Sequence, residues 1–485
     1  MFIKFTNLMF VAAMIFSVLP ASLATQKANS KSAEREVFQP TWESLKENYK
    51  TPEWFNQAKF GIFIHWGLYA VPAYHNEWYA KHMYGQFAEW HTEHYGAPDK
   101  FGYKDFIPLF KAEKYDPDAW AELFKKAGAK YVVPVAEHHD GFAMYDSALT
   151  KWNAKNMGPH RDLIDDLATA VRRKNLIFGL SYHRMEHHTF MYPTTKMPTD
   201  LFDPKYADFY GPPIPGDMDD GNASKEFQAD WLARCKELVD KYHPQLVYFD
   251  NGVNHRNYDD VKLQFAAYYY NRALEWNKQV SIATKKDAYF FGSIKDYEKI
   301  QRAPTEISQQ VAWQVDEPIA GNSWGYVSDL KYRSTASIVG ELIDIASKGG
   351  NLMLNVSPRA DGTIPDEQQK ILLEIGKWLE TNGEAIYGSR AWTKFGEGEK
   401  GAPQYRFTTN KDALYVFGLN VKANQALIKS LSKTDAPKIK KIEMLGLKGK
   451  INYTQDEIGL KVELSAARAT DLPFVLKISG LKINK

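Results

Sequence analysis

Apolar, β-branched and aromatic runs alternate with amphipathic segments along most of this chain, and that alternation limits the possible folds more than any other feature. Phe60–His65, Tyr131–Ala136, Leu176–Tyr182, Leu246–Asp250, Val280–Thr284 and Leu352–Val356 read as strands. Asp116–Ala127, Asp162–Arg173, Lys225–Tyr242, Val261–Trp276, Ser334–Ser347 and Asp366–Glu380 read as helices. Helix ends carry matching chemistry. Asp116 stands as an N-cap with Pro117 just inside and Gly128 as the stop, and the 162–173 segment is acidic at its start and basic at its end. Repeated strand–helix units predict a parallel sheet. Their number favours a closed (β/α)₈ TIM-like barrel over an open doubly wound sheet. Neither GxGxxG after a strand nor GxxxxGK[ST] occurs, so no nucleotide-binding signature supports the open sheet.

After Trp392 the pattern changes to short alternating segments, Ala413–Leu419, Lys440–Leu445, Leu460–Leu464 and Phe474–Ile478, which read as a C-terminal antiparallel β-sandwich. The expected fold is therefore α/β, a barrel over residues 36–392 followed by a sandwich over 393–485. Met1–Lys4 is short and basic, Leu8–Leu19 is mostly apolar, and Ser22-Leu23-Ala24 offers a small-x-small cleavage site. Residues 1–24 thus read as a cleaved signal peptide, too short for a membrane span, and the protein as secreted or periplasmic. Lys plus Arg number 61 against 59 Asp plus Glu, a net charge of +2, and no part of that balance suggests a nucleic-acid or membrane-surface partner. The single cysteine, Cys235, has no disulfide partner within the chain and falls on the apolar face of the 225–242 helix, with Phe227, Trp231, Leu238 and Tyr242.

In a (β/α)₈ barrel, chemistry sits at the C-terminal ends of the strands. Those ends carry His65-Trp66-Gly67, Glu137-His138-His139-Asp140-Gly141, Ser181-Tyr182-His183, Phe249-Asp250-Asn251-Gly252 and Lys285-Lys286. One strand-end histidine means little; imidazoles, a carboxylate, a tyrosine and lysines converging on one mouth mean more. Glycoside hydrolysis by a carboxylate pair fits, with Asp250 held by the apolar strand that precedes it. A metal hydrolase also fits the histidine count, and His183-Arg184-Met185-Glu186-His187 matches H-x-x-E-H. That motif needs a helix to bring both histidines to one face, whereas His183 directly follows a strand, and the adjacent His138 and His139 point to opposite sides of a regular strand.

Longer motifs then resemble glycoside hydrolase family 29, the α-L-fucosidases. They are Lys59–Gly67 with Glu77-Trp78-Tyr79, His138–Phe142 with Trp152, Gly158–Asp162, Tyr248-Phe249-Asp250, Ser323–Tyr326, Gly350–Pro358 with Asp361–Pro365, and Asn382–Tyr387, in the family's order over residues 40–392. The resemblance implies a barrel with a C-terminal sandwich, no metal or organic cofactor, and a retaining exo-α-L-fucosidase acting on a fucosylated oligosaccharide or glycoconjugate. It implies Asp250 as nucleophile, His65, Glu77, Trp78, His138 and His139 as partners of the fucose hydroxyls, and Tyr182 beside the nucleophile. Lys285 stands where some relatives carry an Arg and is expected to bind substrate.

The general acid/base departs from the common pattern. Many relatives place a Glu directly after the Trp that corresponds to Trp313, where this chain has Gln314. Glu298, in Asp296-Tyr297-Glu298, is the expected acid/base, with Glu306 and Glu317 as alternatives in the same stretch, read as solvated loop charges. Two further functions compete: a hydrolase of a sugar of like stereochemistry such as α-L-galactose, and a non-catalytic fucose-binding protein.

Overall fold

The structure, a computed structural model of the 485-residue chain, describes residues 37–212, 214–215, 221–308, 311–399, 401–464 and 471–480. The expected signal peptide lies outside these residues. Eight strands, β1 (Phe60–Ile64), β2 (Tyr131–Glu137), β3 (Ile177–Tyr182), β4 (Leu246–Phe249), β5 (Ser281–Thr284), β6 (Ser293–Glu298), β7 (Trp313–Pro318) and β8 (Asn351–Val356), pair in parallel in sequence order, and β8 closes back on β1. The barrel and the antiparallel C-terminal sheets expected from the sequence are thus the architecture that forms.

Most of the strands are apolar because both faces are buried, as parallel barrel strands require. Side-chain alternation divides them into two layers. Phe63, Tyr131, Val133, Leu246, Tyr248, Ile294 and Met353 fill the interior, while Ile62, Val132, Leu180, Phe249, Val315 and Leu352 pack outward with the surrounding helices. Helix Pro117–Lys126 is capped by the Asp116 side chain accepting from the Ala119 amide at 3.0 Å. Helix Leu163–Arg173 is capped likewise by Asp162 on Asp165 N, 2.9 Å away. Helix Lys225–Tyr242 buries Trp231, Cys235, Leu238 and Tyr242 against the barrel, leaving Phe227 half-buried at its edge.

Two barrel strands escaped the sequence reading. Among the described residues no α-helix flanks β6 on either side; a 3₁₀ turn at Ile300–Arg302 is the regular element between β6 and β7. Their inward positions carry Asp296, Glu298, Gln314 and Asp316 in place of aliphatics, which erased the hydrophobic signal. This flank is covered by the chain's first described segment. Leu45 of helix Trp42–Asn48 is fully buried there, and the Tyr49 hydroxyl pairs with Ser281 Oγ at 2.6 Å.

Eight further strands follow: β9 (Arg390–Glu397), β10 (Gln404–Asn410), β11 (Ala413–Leu419), β12 (Gln425–Ile428), β13 (Lys441–Met444), β14 (Tyr453–Gln455), β15 (Leu460–Glu463) and β16 (Phe474–Ser479). They form a five-stranded sheet in the order β13-β16-β11-β10-β9 and a three-stranded sheet β12-β15-β14. On β11, Leu414 and Val416 face the core of this unit, while Tyr415 and Phe417 join the core of the barrel's helical layer. No helix among the described residues is long and apolar enough to cross a membrane.

Helix Asp366–Asn382 bridges the two units through Trp378, which is 5% exposed and whose indole N–H donates to Pro473 O at 2.8 Å. Trp378→Ala is expected to cost about 3–5 kcal/mol and Trp378→Phe clearly less, read as lowered midpoints of thermal unfolding; equal midpoints for wild type and Trp378→Ala would show that the bridge carries no stability.

Candidate active site

The C-terminal ends of the strands surround a cavity of about 320 Å³, a volume suited to one small polar ligand. Asp250, the residue after β4, lies at its floor. Its Oδ1 is 2.6 Å from Lys285 Nζ, and its Oδ2 is 3.3 Å from His183 Nδ1 and 3.4 Å from His139 Nε2. Burial alone would raise this carboxyl's pKa; the Lys285 ammonium, helped by His183 and His139, holds it well below the ordinary carboxylate range. Lys285 shows the reciprocal effect. Burial acts against its charge, but Asp250, Asp316 and Glu298 keep the amine well above its ordinary value.

A second carboxylate shares that lysine. Glu298, at the end of β6, has Oε2 3.6 Å from Lys285 Nζ and 2.8 Å from an Arg302 guanidinium nitrogen. Lys285 thus bridges two carboxylates that line one cavity. The alternatives stand elsewhere. Glu306 is exposed in the β6–β7 loop. Glu317 was expected as a solvated loop charge, but it is 5% exposed on β7, where it accepts from Ile300 N at 2.6 Å and faces Arg333 at 3.4 Å, outside the cavity lining. Strand parity explains the difference: Asp316 points inward, so its neighbour points out.

Beneath Lys285 lies a buried carboxyl pair, Asp296 and Asp316. Asp316 is 3.8 Å from the ammonium and accepts from the Tyr248 hydroxyl at 3.2 Å. Asp296 accepts from Gln314 Nε2 at 2.8 Å. Burial raises both pKa values, and most strongly that of Asp296, which also contacts Asp316. Gln314 therefore belongs to the barrel interior, accepting from Tyr131 at 3.3 Å on its other side.

The cavity wall is a polar clamp. His65 Nδ1 is 2.7 Å from Asn355 Oδ1, and the Asn355 amide nitrogen donates to Trp324 O at 2.7 Å. That fixes the amide so that His65 donates through Nδ1 and presents Nε2 as an acceptor. Burial lowers its pKa to about 4. Ser181 Oγ is 2.6 Å from His183 Nε2, and His183 Nδ1 lies 3.3 Å from Asp250 Oδ2; burial likewise takes His183 and His138 well below the usual range. His138 lines the cavity at 3% exposure with neither ring nitrogen bonded among the described residues. Glu77 Oε2 gathers Ser323 Oγ, Trp324 N and Gly325 N at 3.2, 3.0 and 3.3 Å, pinning the loop that carries Trp324 against Phe63 and His65. Trp78 completes that wall.

Of the residues singled out from the sequence, Asp250, Glu298, Lys285, His65, Glu77, Trp78 and His138 meet at this cavity. His139 does not line it; at 1% exposure it lies behind Asp250. Tyr182 points the other way. Its hydroxyl donates to Glu137 Oε2 at 3.4 Å, in an ion cluster with Arg184 and Arg234 behind the barrel wall. His183, one residue on, takes the inward place. Asp316 and Trp324 were missed as site residues. Trp324 stood in a recognised motif without a role, whereas Asp316 lay in a stretch that gave no strand signal.

Two sets bring three possible metal-ligand atoms within 4.8 Å, His65 with His138 and His183, and His139 with His183 and Asp250. Both use His183, whose Nδ1 lies 3.3 Å from Asp250 Oδ2, and Asp250 already holds an ammonium at 2.6 Å. A divalent cation would sit against that fixed positive charge. His183 and His187 of the H-x-x-E-H motif do not converge, since both nitrogens of His187 face backbone carbonyls, those of His139 and Phe209.

A family model described as Alpha-L-fucosidase matches residues 24–384. Tissue alpha-L-fucosidase of Mus musculus is 34% identical over 469 residues, 92% of this chain and 95% of that protein. The Homo sapiens tissue enzyme is 32% identical over 468 residues, 92% of each chain. Among solved structures, Thermotoga maritima alpha-fucosidase in complex with fucose superposes with a TM-score of 0.73 at 31% identity, covering 91% of this chain and 100% of that one.

Glu77→Ala is expected to leave the Trp324 and Gly325 amides without their acceptor, a cost of about 1–3 kcal/mol. Amide hydrogen exchange at these two positions then speeds up by about tenfold or more; unchanged protection would mean that the loop is held by its other contacts.

Proposed function

The chain belongs to the α-L-fucosidase family, glycoside hydrolase family 29, and we propose from that premise that Asp250 is its nucleophile and Glu298 its general acid/base. The protein is a fucose-releasing glycoside hydrolase. One observation carries the assignment of the pair: a single buried ammonium, Lys285, contacts both carboxylates in one cavity, at 2.6 and 3.6 Å. Such a carboxylate pair in one pocket is what a retaining mechanism needs. Asp250, kept ionised, attacks the anomeric carbon while Glu298 protonates the departing glycosidic oxygen. Glu298 then takes a proton from the water that releases fucose from the covalent fucosyl–Asp250 intermediate.

His65, His138, Glu77 and Trp78 form the polar side that holds the sugar hydroxyls, with Phe63 and Trp324 as the apolar side. The substrate is a fucosylated oligosaccharide or glycoconjugate cut from its terminal fucose. Residues 36–392 are the catalytic unit and 393–485 its brace, and the first 24 residues direct the enzyme to the periplasm or out of the cell. Neither an α-L-galactoside hydrolase nor a non-catalytic fucose binder is favoured by relatives that are themselves named fucosidases.

Hydrolysis of an aryl α-L-fucoside tests the reading. Asp250→Ala should be inactive, with azide restoring turnover as β-L-fucosyl azide. Glu298→Ala should lose about 10²–10⁴-fold on substrates with poor leaving groups and recover with azide as well. Rescue of Glu317→Ala or Asp316→Ala in place of Glu298→Ala would move the acid/base to that residue, and a wild type that cleaves the α-L-galactoside alone would change the sugar.

A further inference from the structure

Glu186 has no part in the chemistry assigned so far, yet it lies one imidazole away from the nucleophile. His139 Nδ1 is 3.3 Å from Glu186 Oε2 and 2.9 Å from His183 O, and His139 Nε2 is 3.4 Å from Asp250 Oδ2. Carbonyl and carboxylate oxygens only accept hydrogen bonds, and unlike His187, whose nitrogens face carbonyls alone, His139 lies between two carboxylates, which favour hydrogen on both ring nitrogens. A neutral His139 would aim a lone pair at one of them. The ring is 1% and Glu186 2% exposed, so water cannot relieve the mismatch.

The local backbone is built to hold this arrangement. Glu186 ends the 3₁₀ turn Arg184–Glu186 that follows β3. His187 Nδ1 donates back to His139 O at 2.7 Å. Gly252, two residues after Asp250, has φ +89°, and a Cβ there would lie 2.8 Å from Glu186 Cγ. The nucleophile's own loop therefore packs directly on the Glu186 side chain, and the H-x-x-E-H segment acts on His139 at three points: His183 O, Glu186 Oε2 and His187 Nδ1.

We propose that Glu186 is a positioning residue for the reaction, orienting His139 and keeping it an imidazolium that donates to Asp250. This rests on Asp250 being the nucleophile. No proton is transferred: His139 keeps both hydrogens throughout, and its Nε2–H bond to Asp250 steadies the carboxylate when it is displaced from the fucosyl carbon in the second step.

Other charged groups face the pair. Asp250, with Lys285 behind it, stays ionised and His138, His183 and His65 stay neutral around pH 7, by the directions given above. Asp140, pushed by burial to about 6, ionises on the acid side. Burial opposes charge on His139 itself, but Glu186 and Asp250 outweigh it and raise its pKa. Its loss of a proton therefore belongs to the alkaline side, and any stability it contributes is complete below its unfolded value of about 6.5 and fades as pH rises through the raised one.

The test is the pH–rate profile of Glu186→Gln, with Glu186→Asp as the conservative variant and ring NMR titration of His139 in each folded protein. Removing the carboxylate should move the alkaline limb of kcat down by about one pH unit, an about tenfold loss above the limb, with the His139 titration moving alongside and Glu186→Asp recovering part of both. A Glu186→Gln enzyme that is slower with an unmoved limb, or as fast as wild type, overturns the proposal. So does a wild-type His139 that titrates below its ordinary value, a measurement that needs no variant. Full activity in Asp250→Ala would remove the nucleophile assignment alone, because the His139 titration reads the Glu186 pairing directly.

Discussion

The ion pair between Asp250 and Lys285 is the contact around which this site is organised. A carboxylate at the floor of a barrel mouth is costly to keep ionised, and an ammonium at 2.6 Å meets that cost. Once Lys285 is fixed there, it draws in Glu298 and Asp316, and a buried proton between Asp296 and Asp316 becomes the way to avoid surplus negative charge. The neutral histidines follow from the same economy. His65, His138 and His183 lie deep enough to stay uncharged, which suits them to donate to and accept from hydroxyls.

Much of this was legible in the sequence, for reasons that differ by element. Six barrel strands were readable because burial on both faces forces apolar composition. Asp250 was readable because four apolar residues of β4 deliver it to the mouth. β6 and β7 were not, since their inward positions carry carboxyls and an amide that only the completed barrel makes tolerable. Glu298 was found through family likeness rather than periodicity.

Tyr182 and Glu317 are instructive in a different way. Each stands next to an inward residue, His183 and Asp316, and so faces out. The period-2 rule contained that information, but applying it needs the strand's register, which depends on neighbours far away in sequence. Glu186 was beyond any such rule. Its relation to His139 exists only when the turn after β3 folds back over the end of β2, and a motif scan could see no more than a metal-binding pattern there.

The absence of helices around β6 also separates the site into halves with different freedom to vary. Asp250, His139 and His183 stand on strands wrapped by long helices and tied to one another through Glu186 and the nearby glycines. Glu298 and Arg302 stand where loops and a single 3₁₀ turn replace helices. A change in those loops can shift Glu298 without repacking the helices behind Asp250. On the roles proposed above, the group that forms the glycosyl bond is the one locked into the helical shell, and the proton donor is the one whose reach is set by loops.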